Sequence, residues 1–316
     1  MPEKKKPYRP PANVVYNVDG AAYGLDDRLV EALKSHIRRK LESKTLDIPK
    51  LPQVAGRILQ LSQSPDTTID QIVQVIATDP VLAARILVIA NSAAYGGSDR
   101  VEALQPALMR LGLRIVQDMV FAESIHMRIF SARAYRPILE QSWRLSIGTA
   151  VACEALSMAT GLERESAFLI GLLHDTGTPV LVNAVAETEK QNRGASLGDE
   201  VMEILISQLH EETGAYVLSS WGMSPSIVSA AGAHHRYLGS ARATAAHRLI
   251  YAGNLICRHL GIGDAQKDID FTIEHVFADL DLADLGKMEP ILESVRQETE
   301  CMLAGLRDGG PSTLAA

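Results

Sequence analysis

The residues of this 316-residue chain that are best suited to chemistry are histidines and one aspartate in its second half. The stretch GLLHDTG, residues 171–177, sets His174 beside Asp175, so that an imidazole and a carboxylate are adjacent. Three further histidines follow along the chain: His210, His234 and His235. Imidazole and carboxylate groups together suit zinc, iron or manganese. These five residues are therefore a candidate metal site.

The spacing of apolar and small residues predicts the elements that position this site. Ala167 and Ile170 precede His174 at intervals of seven and four, so His174 should end the buried face of a helix. Gly177 should help to end that helix and begin another. His210 shares an apolar helical face with Ile206, Gly214 and Val217, and small residues lead from Pro225 to the pair His234–His235. Three helices are predicted to converge.

Two interpretations of this cluster stay open at the level of sequence. A single inward-facing histidine is more often a hydrogen-bonded core residue than a metal ligand. Several imidazoles beside a carboxylate are costly to bury unless ions or hydrogen bonds satisfy them. The pattern is therefore compatible with a metal site and with a polar network.

Composition and charge restrict the class of protein. The sequence is 47% hydrophobic but only 5% aromatic, which favours packed helices. Residues 1–50 carry a formal charge of +4 and the rest carries -11, without a basic stripe, so nucleic-acid binding is disfavoured. The three cysteines lack paired spacing, and no secretion signal or membrane-length apolar run occurs. We predict a cytoplasmic protein with no membrane partner.

The organisation along the chain is predicted from periodicity and turn signals. Residues 1–24 have the composition of a flexible arm, and 26–43 form an amphipathic helix whose stripe is Leu29, Leu33, Ile37 and Leu41. This stripe should pack on the body, with partner docking as the alternative. From Leu51 helix follows helix, with a cap at Thr67 or Thr68 and a start at Asp79-Pro80. We predict an arm and helix over 1–45, a helical domain over 46–260 and a helical tail over 261–316.

This helical region resembles the HDOD family. The phrases that carry the resemblance are Leu51-Pro52, Asp79-Pro80, the helix from Arg85 to Asn91-Ser92, Tyr95-Gly96 and Leu111-Gly112. The similarity continues through Trp143, GLLHDTG, His210 with Gly214, Trp221 with Pro225, and Ala233-His234-His235. The resemblance implies an all-α bacterial domain related to the HD phosphohydrolases that serves in signalling without established catalysis.

The sequence departs from the active hydrolases at several positions. The resemblance implies that those enzymes use an earlier histidine and a late aspartate, whose places are taken here by Leu145 and Asn254. Where the HD-GYP group has a lysine this chain has Thr178, and no DGxGYP segment follows His235. A binuclear site clamps a phosphate between two cations. Only one ligand set, Asp175 with the last three histidines, is complete, so we expect at most one ion.

The preferred interpretation is a non-catalytic HDOD signalling module that binds other proteins and holds one ion, Fe, Mn or Zn, or an anionic ligand. No catalytic residue and no other cofactor is assigned, because P-loop, Rossmann and nucleophile-elbow motifs are missing. Signalling proteins are the expected partners, and an oligomer is compatible with the sequence. One rival is a metal-dependent phosphohydrolase acting on a cyclic dinucleotide or a phosphate ester. Another is a purely structural domain with a hydrogen-bonded histidine core.

Overall fold

The computed structural model describes residues 27–62, 64, 66–91, 95, 99–130, 135–163, 166–191, 198–235, 243–263 and 267–308. All regular elements within these ranges are helices, which confirms the predicted all-α class. They are α1 (Asp27–Glu42), α2 (Gln53–Ser62), α3 (Ile69–Ile76), α4 (Pro80–Ala90), α5 (Leu104–Leu111), α6 (Leu113–Ile129), α7 (Arg136–Thr160), α8 (Ala167–Leu173), α9 (Gly177–Gln191), α10 (Gly198–Ser220), α11 (Pro225–Ala231), α12 (Ala245–Leu260), α13 (His275–Asp279) and α14 (Leu285–Asp308).

The described residues fall into two compact units. Unit 1 takes its residues from Met1–Pro49 and Phe130–Met288, and unit 2 takes them from Lys50–Ile129 and Glu289–Ala316. Unit 1 thus contains α1 and α7–α13, whereas unit 2 contains α2–α6 and most of α14. The predicted boundaries at residues 46 and 260 stay predictions.

Two helices of unit 2, α3 and α4, begin at the capping residues that the sequence predicts. Thr68 caps α3, accepting a hydrogen bond from the Gln71 backbone while the Gln71 side chain accepts one from the Thr68 backbone. At the start of α4 the Asp79 carboxylate accepts the N–H groups of Val81 and Leu82. Such caps satisfy backbone donors that have no partner inside the helix.

Unit 1 is organised around α7, a helix of 25 residues whose middle consists largely of small buried side chains. A Cβ at Gly148 would lie 2.5 Å from the Ile262 side chain, and one at Gly253 would lie 3.3 Å from Cys153 Sγ. Side chains larger than hydrogen at these positions would separate α7 from α12 and the loop that follows it. The same helix α7 also packs against α8, the helix that leads into GLLHDTG.

The amphipathic helix α1 packs on unit 1, as predicted. Val30 and Ile37 are buried in a cluster with α9 and α10 residues, and Leu33 and Leu41 pack against it. Arg38 Nε also donates to Glu212 Oε1 on α10 at 3.1 Å. Leu33, Ile37 and Leu41 of the predicted stripe therefore pack against the chain itself, which favours packing over the docking alternative, while the side chain of Leu29 lies outside the described part of the chain.

One stretch is long and apolar enough to cross a membrane. It runs over Ala167–Lys190, and 83% of its most apolar window is buried inside the fold. In the folded chain this stretch is divided into α8 and α9. Core helices commonly have the same composition.

Candidate metal centre

The corner between α8 and α9 places His174 and Asp175 in the interior. His174 follows the last residue of α8, and Asp175 lies in the three-residue turn before α9. Their exposed fractions are 2% and 8%. The glycines of the corner permit this burial: a Cβ at Gly171 would lie 2.5 Å from the Thr149 carbonyl oxygen, and one at Gly177 would overlap the His210 carbonyl oxygen. Gly171 thus allows a close approach of the α7 backbone at this corner.

Three of the predicted histidines are anchored in the same way. His174 Nδ1 lies 2.7 Å from the Gly171 carbonyl oxygen, His210 Nδ1 2.6 Å from that of Ile206, and His234 Nδ1 2.8 Å from that of Ala231. A carbonyl oxygen only accepts, so each Nδ1 carries a hydrogen. In a neutral imidazole the lone pair is then on Nε2. This tautomer is the one that metal-binding histidines commonly adopt.

The rings meet around His234. Its ring centroid lies 5.1 Å from those of His174 and His210 and 4.1 Å from that of His235. One ring nitrogen each from His210, His234 and His235 lies within 4.8 Å of the others. The structure therefore brings together all four predicted histidines, although they come from three regions of the chain that are 24 to 61 residues apart in sequence.

Burial favours the neutral form of the His174 and His234 imidazoles. Desolvation lowers the pKa of His174, more than the neighbouring Asp175 and the Gly171 carbonyl raise it. Desolvation also lowers the pKa of His234 well below its usual value, and the nearby His235, His174 and His210 lower it further. Neutral imidazoles attract cations through their lone pairs and offer little to an anion. The neutral imidazoles thus favour a cation over the anionic ligand that was the alternative from the sequence.

Asp175 is held by hydroxyl groups. Thr178 Oγ1 donates to Asp175 Oδ1 at 2.6 Å, and Ser142 Oγ on α7 donates to Oδ2 at 3.2 Å. Among the described residues, the group with mutually close ligand atoms contains the last three histidines and not Asp175. The carboxylate borders the cluster through its neighbour His174, and its predicted role as a ligand stays a prediction.

The two positions where a hydrolase would have ligands make apolar or neutral contacts. The backbone and Cβ of Leu145 lie against Gly263, where an added Cβ would come within 2.6 Å of Leu145 Cβ. The Asn254 amide oxygen accepts a hydrogen bond from Thr149 Oγ1 at 2.8 Å. Neither side chain supplies a charged ligand.

Sequence reasoning missed three residues that support the cluster: Ser142, Thr178 and Glu211. Thr178 was noted only as the position of an absent lysine, and Ser142 gave no signal. Glu211 directly follows His210, and its Oε1 accepts the backbone N–H of His235 at 2.9 Å. Adjacency to His210 was a hint, but the contact joins residues 24 apart in sequence.

The family model of the HDOD domain matches residues 48–237, which is more than half of the chain. The chain belongs to the HDOD family. The match begins just before α2 and ends just after His235, so it includes the whole candidate centre of this HDOD protein.

Individual relatives of this HDOD protein agree in fold. A structure from Shewanella amazonensis SB2B, provisionally assigned as a metal-dependent phosphohydrolase, has a TM-score of 0.66 and 21% identity over 86% of this chain and 99% of its own. A structure from Marinobacter aquaeolei VT8, provisionally assigned to signal transduction, has a TM-score of 0.64 and 20% identity. The match covers 90% of this chain and 67% of the Marinobacter chain. An uncharacterised Treponema pallidum (strain Nichols) protein is 27% identical over 197 residues, which are 60% of this chain and 38% of that relative. The TM-scores of the two solved structures establish the shared fold.

The donor set of this HDOD protein fits a single transition-metal ion. A tetrahedral ion with bonds of about 2.0 Å separates its ligand nitrogens by about 3.3 Å. The three ring nitrogens lie within 4.8 Å of one another, so each pair is at most about 1.5 Å farther apart than in that geometry. Imidazole donors suit Zn, Fe, Ni or Cu better than Mg or Ca.

Proposed function

We propose that this HDOD protein is a regulatory module of bacterial signalling that binds other proteins and has no hydrolase activity of its own. In this proposal the remnant of the HD site holds one divalent transition metal ion, Zn, Fe or Mn. The expected location is the cytoplasm. Support for a signalling role comes from the family and from the assignment of the Marinobacter protein.

The observation that carries the proposal is the convergence of His210, His234 and His235. Their ring nitrogens lie within 4.8 Å of one another, and the hydrogen bonds of His210 and His234 to backbone carbonyls leave Nε2 free to bind. An ion bound there would act as a Lewis acid or a structural cross-link. The protein's own contribution is to fix the rings and to exclude water.

The same surroundings argue against hydrolysis. A two-metal mechanism needs a second set of ligands, and at the two positions where the resemblance to the hydrolases implies them this chain has Leu145 and Asn254. The hydroxyl of Thr178 donates to Asp175, whereas the lysine of the HD-GYP group would offer a phosphate a positive charge. Without a second cation or that lysine, little would position a phosphate for attack.

Elemental analysis and an activity assay on one preparation test the proposal. We expect one transition-metal ion per chain, lost in His234→Ala and retained in the control His36→Ala, whose histidine is exposed on α1. Hydrolysis of cyclic dinucleotides and of a generic phosphodiester should be at background with Zn, Fe or Mn supplied. Two ions per chain, or turnover that His174→Ala abolishes, would favour the phosphohydrolase. A well-folded protein without metal would favour the structural interpretation.

A further inference from the structure

The turn that carries His234 and His235 is pressed against α10. The helix α11 ends at Ala231, and the chain then turns through Gly232. A Cβ at Gly232 would lie 3.0 Å from Ala215 Cβ on α10, so this residue permits the close approach. Adjacent residues of a helix point in different directions, yet the two rings stand 4.1 Å apart. The backbone after Ala231 must therefore be held in one conformation.

Glu211 on α10 accepts a hydrogen bond from this turn. Its Oε1 accepts the backbone N–H of His235 at 2.9 Å and lies 4.0 Å from His234 Nδ1. The side chain is only 17% exposed, so water competes little for this hydrogen bond. Because Glu211 follows His210 on the same helix, one segment of α10 both provides one imidazole and fixes the other two.

We propose that Glu211 is a positioning residue that sets His234 and His235 in place for the ion. This inference rests on the proposed function, because it assigns the support of the same metal centre. The carboxylate acts through a backbone hydrogen bond rather than through the ion. Its negative charge beside His234 also favours a cation in the cluster.

Two substitutions separate these effects, and the next residue supplies a control. Glu211→Ala removes the acceptor, whereas Glu211→Gln keeps an acceptor oxygen and removes the charge. Glu212→Ala removes a carboxylate one position along α10 that pairs with Arg38 and is 42% exposed. Loss of groups that orient metal ligands typically weakens metal affinity 10- to 100-fold.

The experiment is Zn²⁺ competition with a chromophoric chelator on full-length wild type and the three variants, at equal folded fraction by circular dichroism. We expect Glu211→Ala to bind Zn²⁺ about 10- to 100-fold more weakly, with Glu211→Gln and Glu212→Ala within a few-fold of wild type. Hydrogen exchange of the His235 amide should quicken in Glu211→Ala alone. A merely structural role would lower the melting temperature of Glu211→Ala and leave the affinity of its folded fraction unchanged.

The outcomes distinguish this inference from the proposed function. If wild type binds Zn²⁺ and folded Glu211→Ala binds it equally well, the positioning role is wrong and the metal centre stands. If Glu211→Gln is as weak as Glu211→Ala, the charge or direct coordination matters and the hydrogen-bond role is overturned. If wild type binds no ion, both proposals fail.

Discussion

Unit 1 buries a cluster of imidazoles, whereas unit 2 buries an ion pair between Arg85 and Glu123. Each anchored histidine of unit 1 gives its Nδ1 hydrogen to a carbonyl in the preceding turn of its own chain. In unit 2, Arg85 on α4 and Glu123 on α6 form an ion pair in which the Glu123 side chain is fully buried and that of Arg85 is 12% exposed. Arg85 Nε has no hydrogen-bond partner among the described residues.

The difference teaches how each cluster contributes to the fold. A buried ion pair is strongly interdependent, because removing one partner leaves an uncompensated charge. The histidines, by contrast, are satisfied one at a time, and their Nε2 atoms stay available to a ligand. The buried pair thus connects α4 with α6 in unit 2, whereas the proposed function of unit 1 depends on its histidines as ligands.

The largest expected change in stability comes from removing one partner of the unit 2 ion pair. Glu123→Ala should lower the free energy of unfolding by about 3–5 kcal/mol, because Arg85 is left charged and buried. Urea unfolding followed by circular dichroism measures this change. The control Glu140→Ala breaks the Arg136–Glu140 pair, whose side chains are 78% and 60% exposed, and should cost about 0.2–1 kcal/mol. Equal losses in the two variants would show that the buried pair is no more interdependent than a surface pair.

A backbone contact in unit 1 gives the next effect. In Gly177→Ala the new Cβ would overlap the His210 carbonyl oxygen, so α9 must move away from α10. We expect a loss of about 1–3 kcal/mol, as for overpacking in a core, together with weaker metal binding. Gly56→Ala in α2 is the matched control, because its Cβ meets only the Leu51 side chain at 3.8 Å. Wild-type stability of a folded Gly177→Ala would contradict the close approach of α9 and α10.

A carboxyl in unit 2 should give a smaller, pH-dependent effect. Burial raises the pKa of Asp118 from 3.8 to about 7, against the lowering influence of Arg114. Its contribution to stability is complete below pH 3.8 and is lost as the pH rises through about 7. Asp118→Asn should therefore be more stable than wild type at pH 8 by about 1–2 kcal/mol, a figure reduced for partial exposure.

The advantage of Asp118→Asn should shrink as the pH falls to 4, which urea unfolding at pH 4, 5.5 and 8 will measure. In the same unit burial and the charge of Arg85 lower the pKa of His126 to about 4, which destabilises the fold as the pH falls from about 6.5. That change is common to wild type and variant, so it cancels in their difference. A difference that does not vary with pH would mean that Asp118 ionises normally.

The smallest expected effect concerns the lost ligand positions of unit 1. Leu145→His with Asn254→Asp should raise the metal content from one ion toward two per chain, with little change in stability. An aspartate at 254 can still accept from Thr149, and a histidine at 145 keeps the backbone and Cβ atoms that lie against Gly263. Elemental analysis at equal folded fraction gives the answer. No gain in a well-folded double variant would show that these positions do not face the centre.

Local patterns predicted much of the fold. Periodicity and caps placed α3 and α4, and the stripe of α1 identified the face that packs on unit 1. The same periodicity predicted that the histidines lie close together. In each case the information lies within a few turns of one helix, which is the range over which sequence spacing determines direction.

The rest depends on contacts between distant parts of the chain. Arg85 meets Glu123 across 38 residues, and Ser142 meets Asp175 across 33. Neither pair has a spacing that sequence alone could relate, because tertiary packing decides which helices are neighbours. The contact of Ser142 with Asp175 was therefore unforeseen, although the position of Asp175 beside the buried His174 was predicted.

The self-contained anchoring of the histidines also bears on how such a centre changes over generations. Each ring has its hydrogen-bond partner in its own segment, so the replacement of one ligand does not strand the others. Under the proposed function, differences from the hydrolases such as Leu145 and Asn254 can therefore arise while the fold persists. A motif like GLLHDTG would then indicate family membership rather than turnover.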